Sequence, residues 1–265
     1  MKKLLLLAMF IGIFSSCEDV IEVDLNNAAP RLVIEANFNK NLDGATNSFV
    51  RLTTTAPYFD NNIPTVTTAD ISVLDSNGTM FQLTHTQNGI YVGDIPLQEN
   101  AQYTLTIIYN DETYTATEKL YTVAPLEFVE QRDDGGFTGE DIELKAYYTD
   151  PANEENFYFF EGLSEKGDVF EVYKDEFVNG NTTFGYFVVE DLAPGDQVQF
   201  NLYGVNEAFY NYMFTLLQQS GGDGGPFETQ PATVRGNIVN ITNEDNYPLG
   251  YFRVSEISTF DYTVQ

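Results

Sequence analysis

ADISVLDSNGTMFQLTHTQNGIYVGDIPLQENAQYTLTIIYNDETYTATE, residues 69–118, alternates short apolar–polar runs with turn-forming dipeptides. Ile71-Ser72-Val73-Leu74 reads as a strand, Ser76-Asn77-Gly78 as a turn, and Met80 to His85 as the returning strand. Asn88-Gly89 is the strongest hairpin signal in the chain, because both central residues of a type I′ turn need positive φ. Ile90-Tyr91-Val92 follows. Gln102 to Tyr109 then turns at Asn110-Asp111 into Thr113 to Glu118. Such a run of short strands with no helical periodicity predicts an immunoglobulin-like β-sandwich.

Upstream, Leu32-Val33-Ile34 opens the first strand and Ser48 to Thr55 alternates as a half-buried strand does. The sandwich is expected over residues 31–124, closing near Ala124-Pro125. Downstream, residues 125–265 predict a second antiparallel, β-rich domain. Its expected strands are Ile142 to Tyr148, Phe157 to Phe160, Val169 to Tyr173, Thr183 to Val189, Val198 to Tyr203, Thr233 to Ile241 and Tyr251 to Ile257. One amphipathic helix is expected near 207–219, with Asn206 as its N-cap and Phe209, Met213, Leu216 and Leu217 along one stripe. Gly221 to Gly225 ends it as a flexible loop; lying after a helix, it is at the wrong end for an anion. The fold class is therefore mostly β.

The composition agrees: 21 Phe and 17 Tyr with no Trp favour strands and supply a core. The N-terminus has a different character. Lys2 and Lys3 precede an apolar run from Leu4 to Phe14, too short to span a bilayer, which needs about 20 residues. Residues 1–16 read as a signal peptide. Phe14-Ser15-Ser16-Cys17 resembles the lipobox of bacterial lipoproteins, with Phe14 in place of the usual leucine. The resemblance implies lipidation of Cys17, the chain's single cysteine, and residues 17–30 then form the lipidated tether. Glu18-Asp19 resembles the sorting and surface-export signals of Bacteroidota lipoproteins, which implies an outer-membrane location, often in the outer leaflet and exposed at the cell surface. Losing Lys2 and Lys3 with the leader leaves 10 basic residues against 40 acidic ones, a net charge of −30. That charge repels phosphate backbones and excludes nucleic acid as a partner. Membrane attachment must then come from the lipid.

No catalytic set emerges. His85 is the lone histidine, without a second His or a mature Cys for a zinc site and without a nucleophile-elbow pattern for a triad. Asp133-Asp134-Gly135-Gly136, Asp60-Asn61-Asn62 and Asn243-Glu244-Asp245-Asn246 are oxygen-rich loops that Ca²⁺ would suit, but none has EF-hand spacing, and solvated turns account for them as well. No cofactor is expected. Tyr147, Tyr148, Tyr158 and Tyr186 either line a glycan- or peptide-binding face or fill the core, and the core is the commoner fate.

Cys17 to Leu25 (CEDVIEVDL), Pro30 to Ala36 (PRLVIEA), Val234 to Ile238 (VRGNI) and Leu249 to Phe252 (LGYF) together resemble an uncharacterised family of Bacteroidota outer-membrane lipoproteins, a family of unknown function. Gly89-Ile90-Tyr91 and Tyr103 to Ile107 fit as well. Members are often encoded beside TonB-dependent receptors. That neighbourhood implies an accessory role in nutrient binding or uptake, and with the lipobox and the lack of a catalytic set the expectation is a non-enzymatic, lipid-anchored accessory of such a receptor. A stand-alone surface protein that binds glycan or peptide is the alternative, and a hydrolase using paired carboxylates comes third.

Overall fold

The computed structural model describes residues 29–57, 60, 62–136, 139–220 and 233–265. The leader, Cys17, Glu18-Asp19 and the Gly221 to Gly225 run lie outside them. The fold is mostly β, and its strands make two packed sandwiches. The strands in chain order are β1 (Leu32–Asn41), β2 (Thr46–Thr54), β3 (Asp70–Asp75), β4 (Met80–Gln87), β5 (Ile90–Val92), β6 (Gln102–Tyr109) and β7 (Glu112–Lys119). Then come β8 (Leu126–Gly135), β9 (Asp141–Thr149), β10 (Phe157–Ser164), β11 (Val169–Lys174), β12 (Thr182–Phe187) and β13 (Gln197–Val205). Helix α1 (Glu207–Ser220), β14 (Val239–Asn240) and β15 (Leu249–Thr263) complete the series.

The hairpin signals act where the sequence puts them. Asn88 and Gly89 have φ of 50° and 74°, and Asn110 and Asp111 have 50° and 61°, the paired positive values of a type I′ turn. A Cβ on Gly89 would also stand 2.3 Å from the Leu52 carbonyl oxygen, so glycine is required there twice over.

In the first sandwich β1, β2 and β5 face β3, β6, β7 and β14, and β4 bends between the layers, pairing with both β5 and β3. Period-2 alternation aims Ile34, Phe38 and Leu52 from one layer at Ile71, Leu105 and Ile107 from the other. Fully burying such a side chain contributes about 1.5–3 kcal/mol.

The second sandwich sets β11, β10, β13 and the end of β15 against β12, β9 and β8. Phe160, Phe187 and Phe200 fill it, with Phe160 and Phe200 stacked at 5.8 Å. On the outer side of the larger sheet α1 packs Phe209 against Phe159, Tyr203 and Tyr251. Asn206 caps the helix, its Oδ1 accepting the Phe209 N–H at 2.7 Å. Leu216, expected in the buried stripe, is 37 % exposed; Tyr212 packs with Phe209 and Met213 instead. Among the described residues no helix is long and apolar enough to cross a membrane.

β15 joins the two sandwiches. Its first part pairs parallel with β1, from Val33 opposite Leu249 to Asn41 opposite Ile257. Its last part pairs antiparallel with β13, from Tyr203 opposite Ile257 to Gln197 opposite Thr263. The expected division at 124/125 therefore marks the linker, but residues 125–265 do not stand apart: β14 and the first part of β15 complete the first sandwich. Of the strand expected over 233–241 only Val239–Asn240 pairs, along the edge of β7.

Candidate functional site

Where the two sandwiches meet, the segment after β7 crosses from one to the other. It is held to β15 by hydrogen bonds from Tyr121 N–H to the Val254 carbonyl (3.2 Å) and from Glu256 N–H to the Tyr121 carbonyl (2.7 Å). Leu126 N–H donates to Ser258 Oγ at 2.8 Å. Lys40 and Glu256 form an ion pair at 3.0 Å on the same seam, with side chains 20 % and 10 % exposed.

A cleft of about 400 Å³ opens over this crossing. Glu99, Lys119, Tyr121, Glu154, Glu155 and Glu207 line it, with Asn156 and Asn206. Four carboxylates thus surround one ammonium, and all four are exposed. Exposed carboxylates attract cations through a screened field, and each pair they form is weak; the cleft gains selectivity from their convergence. Asn156 Oδ1 is buried without a hydrogen-bond partner beside them.

Behind the cleft lies Glu118, the last inward-facing position of β7 after Tyr114 and Ala116. Burial pushes its carboxyl up, while hydrogen bonds from Asn237 Nδ2 (2.8 Å) and Asn206 Nδ2 (3.1 and 3.3 Å) act in the opposite direction. Asn237 also bridges to β15, donating to the Phe252 carbonyl (2.9 Å) and accepting its N–H (2.9 Å). Period-2 parity in Tyr114-Thr115-Ala116-Thr117-Glu118 carries the signal that would have singled out Glu118 in the sequence.

The residues singled out from sequence are scattered. His85 is exposed on β4, edge-on to Tyr91 at 5.2 Å, and does not line the cleft. Asp133 and Asp134 belong to β8 and not to a loop, and Asp134 pairs with Arg132 at 3.0 Å. The Tyr114 hydroxyl, above all, and the amides of Asn246, Asn243 and Asn240 donate to Glu112, holding its carboxyl below the usual range. These donors suit a carboxylate and not a cation. Asp60 Oδ1 accepts the Asn62 N–H at 2.9 Å; Asn61 lies outside the described residues. Among the described residues no group of three or more His, Cys, Asp or Glu side chains is placed to hold a metal ion.

The four tyrosines divide by strand parity. Tyr148 and Tyr158 are buried, 5.0 Å apart, with the Tyr158 hydroxyl on Asp150 Oδ1 at 2.5 Å. Tyr147 and Tyr186 face outward on the smaller sheet. There Tyr147 stacks on Phe128 at 4.6 Å and leans on Phe184 at 5.3 Å, and Phe128 is 48 % exposed.

Two solved structures are similar to parts of the chain. A two-domain fibronectin type-III segment from chicken tenascin is 13 % identical, covering 66 % of this chain and 90 % of its own, with a TM-score of 0.22. A cytokine receptor complex is 11 % identical, covering 68 % and 86 %, with a TM-score of 0.26. No curated protein matches. A family model, Domain of unknown function (DUF4249), matches residues 18–261. The chain belongs to that family.

Proposed function

We propose that this protein is a bacterial outer-membrane lipoprotein of the Bacteroidota, anchored through Cys17, that assists a TonB-dependent receptor in nutrient binding or uptake without catalysing a reaction itself. The observation that carries the reading is the placement of the seam cleft. β1 runs from the end of the tether to the seam, and its 10 residues span about 33 Å. The shared strand β15 makes that spacing rigid. An acidic cleft at a fixed height suits a cationic loop of a receptor or a cationic nutrient, not a free anion.

The test is co-purification from native membranes with mass spectrometric identification of partners. The intact protein is expected to bring down an outer-membrane barrel. Glu154→Lys with Glu155→Lys is expected to release the barrel while the protein stays in the membrane fraction. Cys17→Ala is expected to leave that fraction. A protein purified alone from gentle detergent overturns the receptor role, and membrane retention of Cys17→Ala overturns the anchor.

A second reading, a stand-alone glycan- or peptide-binding surface protein, is favoured by the Phe128–Tyr147–Phe184 row on the outer face of the smaller sheet. Binding to immobilised glycans or peptides that disappears in Phe128→Ala with Tyr147→Ala, and survives the cleft substitutions, would select it.

A further inference from the structure

Ten basic residues remain once the leader is removed. Lys40, Arg51, Arg132, Lys145 and Lys174 are ion-paired, and Arg253 is buried. Arg31 and Arg235 behave differently. They converge on the ring of Tyr247, with guanidinium carbons 3.9 and 3.5 Å from its centroid. Among the described residues neither has a carboxylate at ion-pair distance; Arg31 Nη1 instead donates to the carbonyls of Asp245 (3.1 Å) and Tyr247 (3.3 Å). A groove of about 670 Å³ runs beside them, between Val239, Ile241, Glu244 and Asp245. Val239 is 54 % exposed and Ile241 63 %, so two aliphatic side chains stand in solvent next to two arginines.

This cluster occupies the pole of the first sandwich at which the tether enters, since Arg31 directly precedes β1. Thirteen residues separate Cys17 from Arg31. Fully extended, that stretch reaches about 50 Å, so a bilayer holding the Cys17 lipid lies within that distance of Arg31. The opposite pole is a further 50 Å or so away, the length of the 15-residue β15.

We propose that this pole is a bilayer-contacting surface that rests on zwitterionic phospholipid headgroups. The inference rests on the Cys17 anchor proposed above and adds an orientation to it. Arg31 and Arg235 receive lipid phosphates, for which the planar guanidinium fork is suited, and Tyr247 holds both forks in place. Glu244 and Asp245, on the same groove, face the ammonium groups. Val239 and Ile241 meet the boundary of the acyl chains, where Tyr and Arg also sit favourably. Elsewhere on a chain of this charge a phosphate surface is repelled; here the charges are mixed in the way that a zwitterionic headgroup is mixed.

The absence of Trp from the chain provides a clean reporter. Full-length lipidated Ile241→Trp, and Glu165→Trp at the far pole, are added to preformed phosphatidylethanolamine vesicles containing brominated phospholipid and isolated by flotation. Glu165 is an exposed residue in the turn between β10 and β11, so neither position disturbs the core. Ile241→Trp is expected to show a blue shift and loss of emission, and Glu165→Trp neither. Adding Arg31→Ala and Arg235→Ala to Ile241→Trp is expected to restore the emission while flotation persists. Flotation without quenching of Ile241→Trp overturns the orientation and leaves the anchor intact. Equal quenching at both positions, or quenching indifferent to the arginines, overturns the headgroup contact. Protein that fails to float overturns the anchor and the orientation together.

Discussion

Asn206 and Glu118, 88 residues apart in the chain, meet at the seam: Asn206 Nδ2 lies 3.1 and 3.3 Å from the two carboxylate oxygens of Glu118. The same amide caps α1 through its oxygen. Asn and Asp are ordinarily equivalent N-caps. Here they are not. Asn206→Asp keeps the cap but sets a carboxylate against Glu118, and is expected to destabilise at neutral pH at least as much as Asn206→Ala. The cap alone accounts for about 1 kcal/mol of the alanine loss. Chemical denaturation of the three proteins orders them.

Glu118 makes stability depend on pH in an unusual direction for a carboxylate. Its folded pKa is raised, chiefly by burial, above the ordinary value of 4.5. The folded state therefore holds its proton to higher pH than the unfolded state does. Stability from this group is greatest below the ordinary value and falls as pH rises through the raised one. Glu118→Gln removes the dependence. The stability of the natural protein minus that of Glu118→Gln is expected to increase as pH falls across that window, then level off. A difference that declines with acidification contradicts the assignment.

Gly204 sits beneath the crossing segment, where an added Cβ would stand 1.9 Å from the Thr122 carbonyl oxygen. Backbone, not a flexible side chain, is the obstacle. Gly204→Ala is expected to destabilise by about 1–3 kcal/mol or more, the range for overpacking a well-filled interior. The cost should fall on the junction: protease sensitivity near Leu120 to Pro125 is expected to rise along with the loss in melting temperature.

Arg253 is buried on β15 with its guanidinium 4.0 Å from the Tyr203 ring, two long hydrogen bonds to Asn37 and Asn39 (3.3 and 3.4 Å), and Nη1 unpartnered. Burial holds its pKa below the usual arginine value. An ion so poorly compensated contributes little net stability. Arg253→Met, which fills the same space, is expected within about 1 kcal/mol of the natural protein. Arg253→Ala leaves a cavity beneath Phe209 and is expected to cost about 2–4 kcal/mol. Equal losses in both variants would show that the charge itself stabilises the sheet.

Legibility in the sequence followed locality. The hairpins from β3 to β7 could be read because Asn-Gly and Asn-Asp impose their turns on the adjacent residues. Helix α1 and its Asn206 cap were readable for the same reason. β8 was not, because Glu130 to Gly135 (EQRDDG) has the composition of a loop and lies on a sheet edge where no apolar alternation is needed. The parallel pairing of β1 with β15 left no local mark at all: Asn37 and Arg253 are 216 residues apart. The seam cleft inherits that opacity, since its walls come from four distant stretches of chain.

The strand that completes both sandwiches is also made after the other fourteen described strands. During synthesis β1 has only β2 beside it, and β13 only β10, until residues 249–263 emerge to pair with both. Neither lobe can finish early and wait for the other. Phe38 lacks the Phe252 ring it packs on until then, and closure, with its long contact order, comes as one late and slow event. Truncation before Leu249, which removes β15, should therefore leave neither a folded first lobe nor a folded second one, but an unfolded chain.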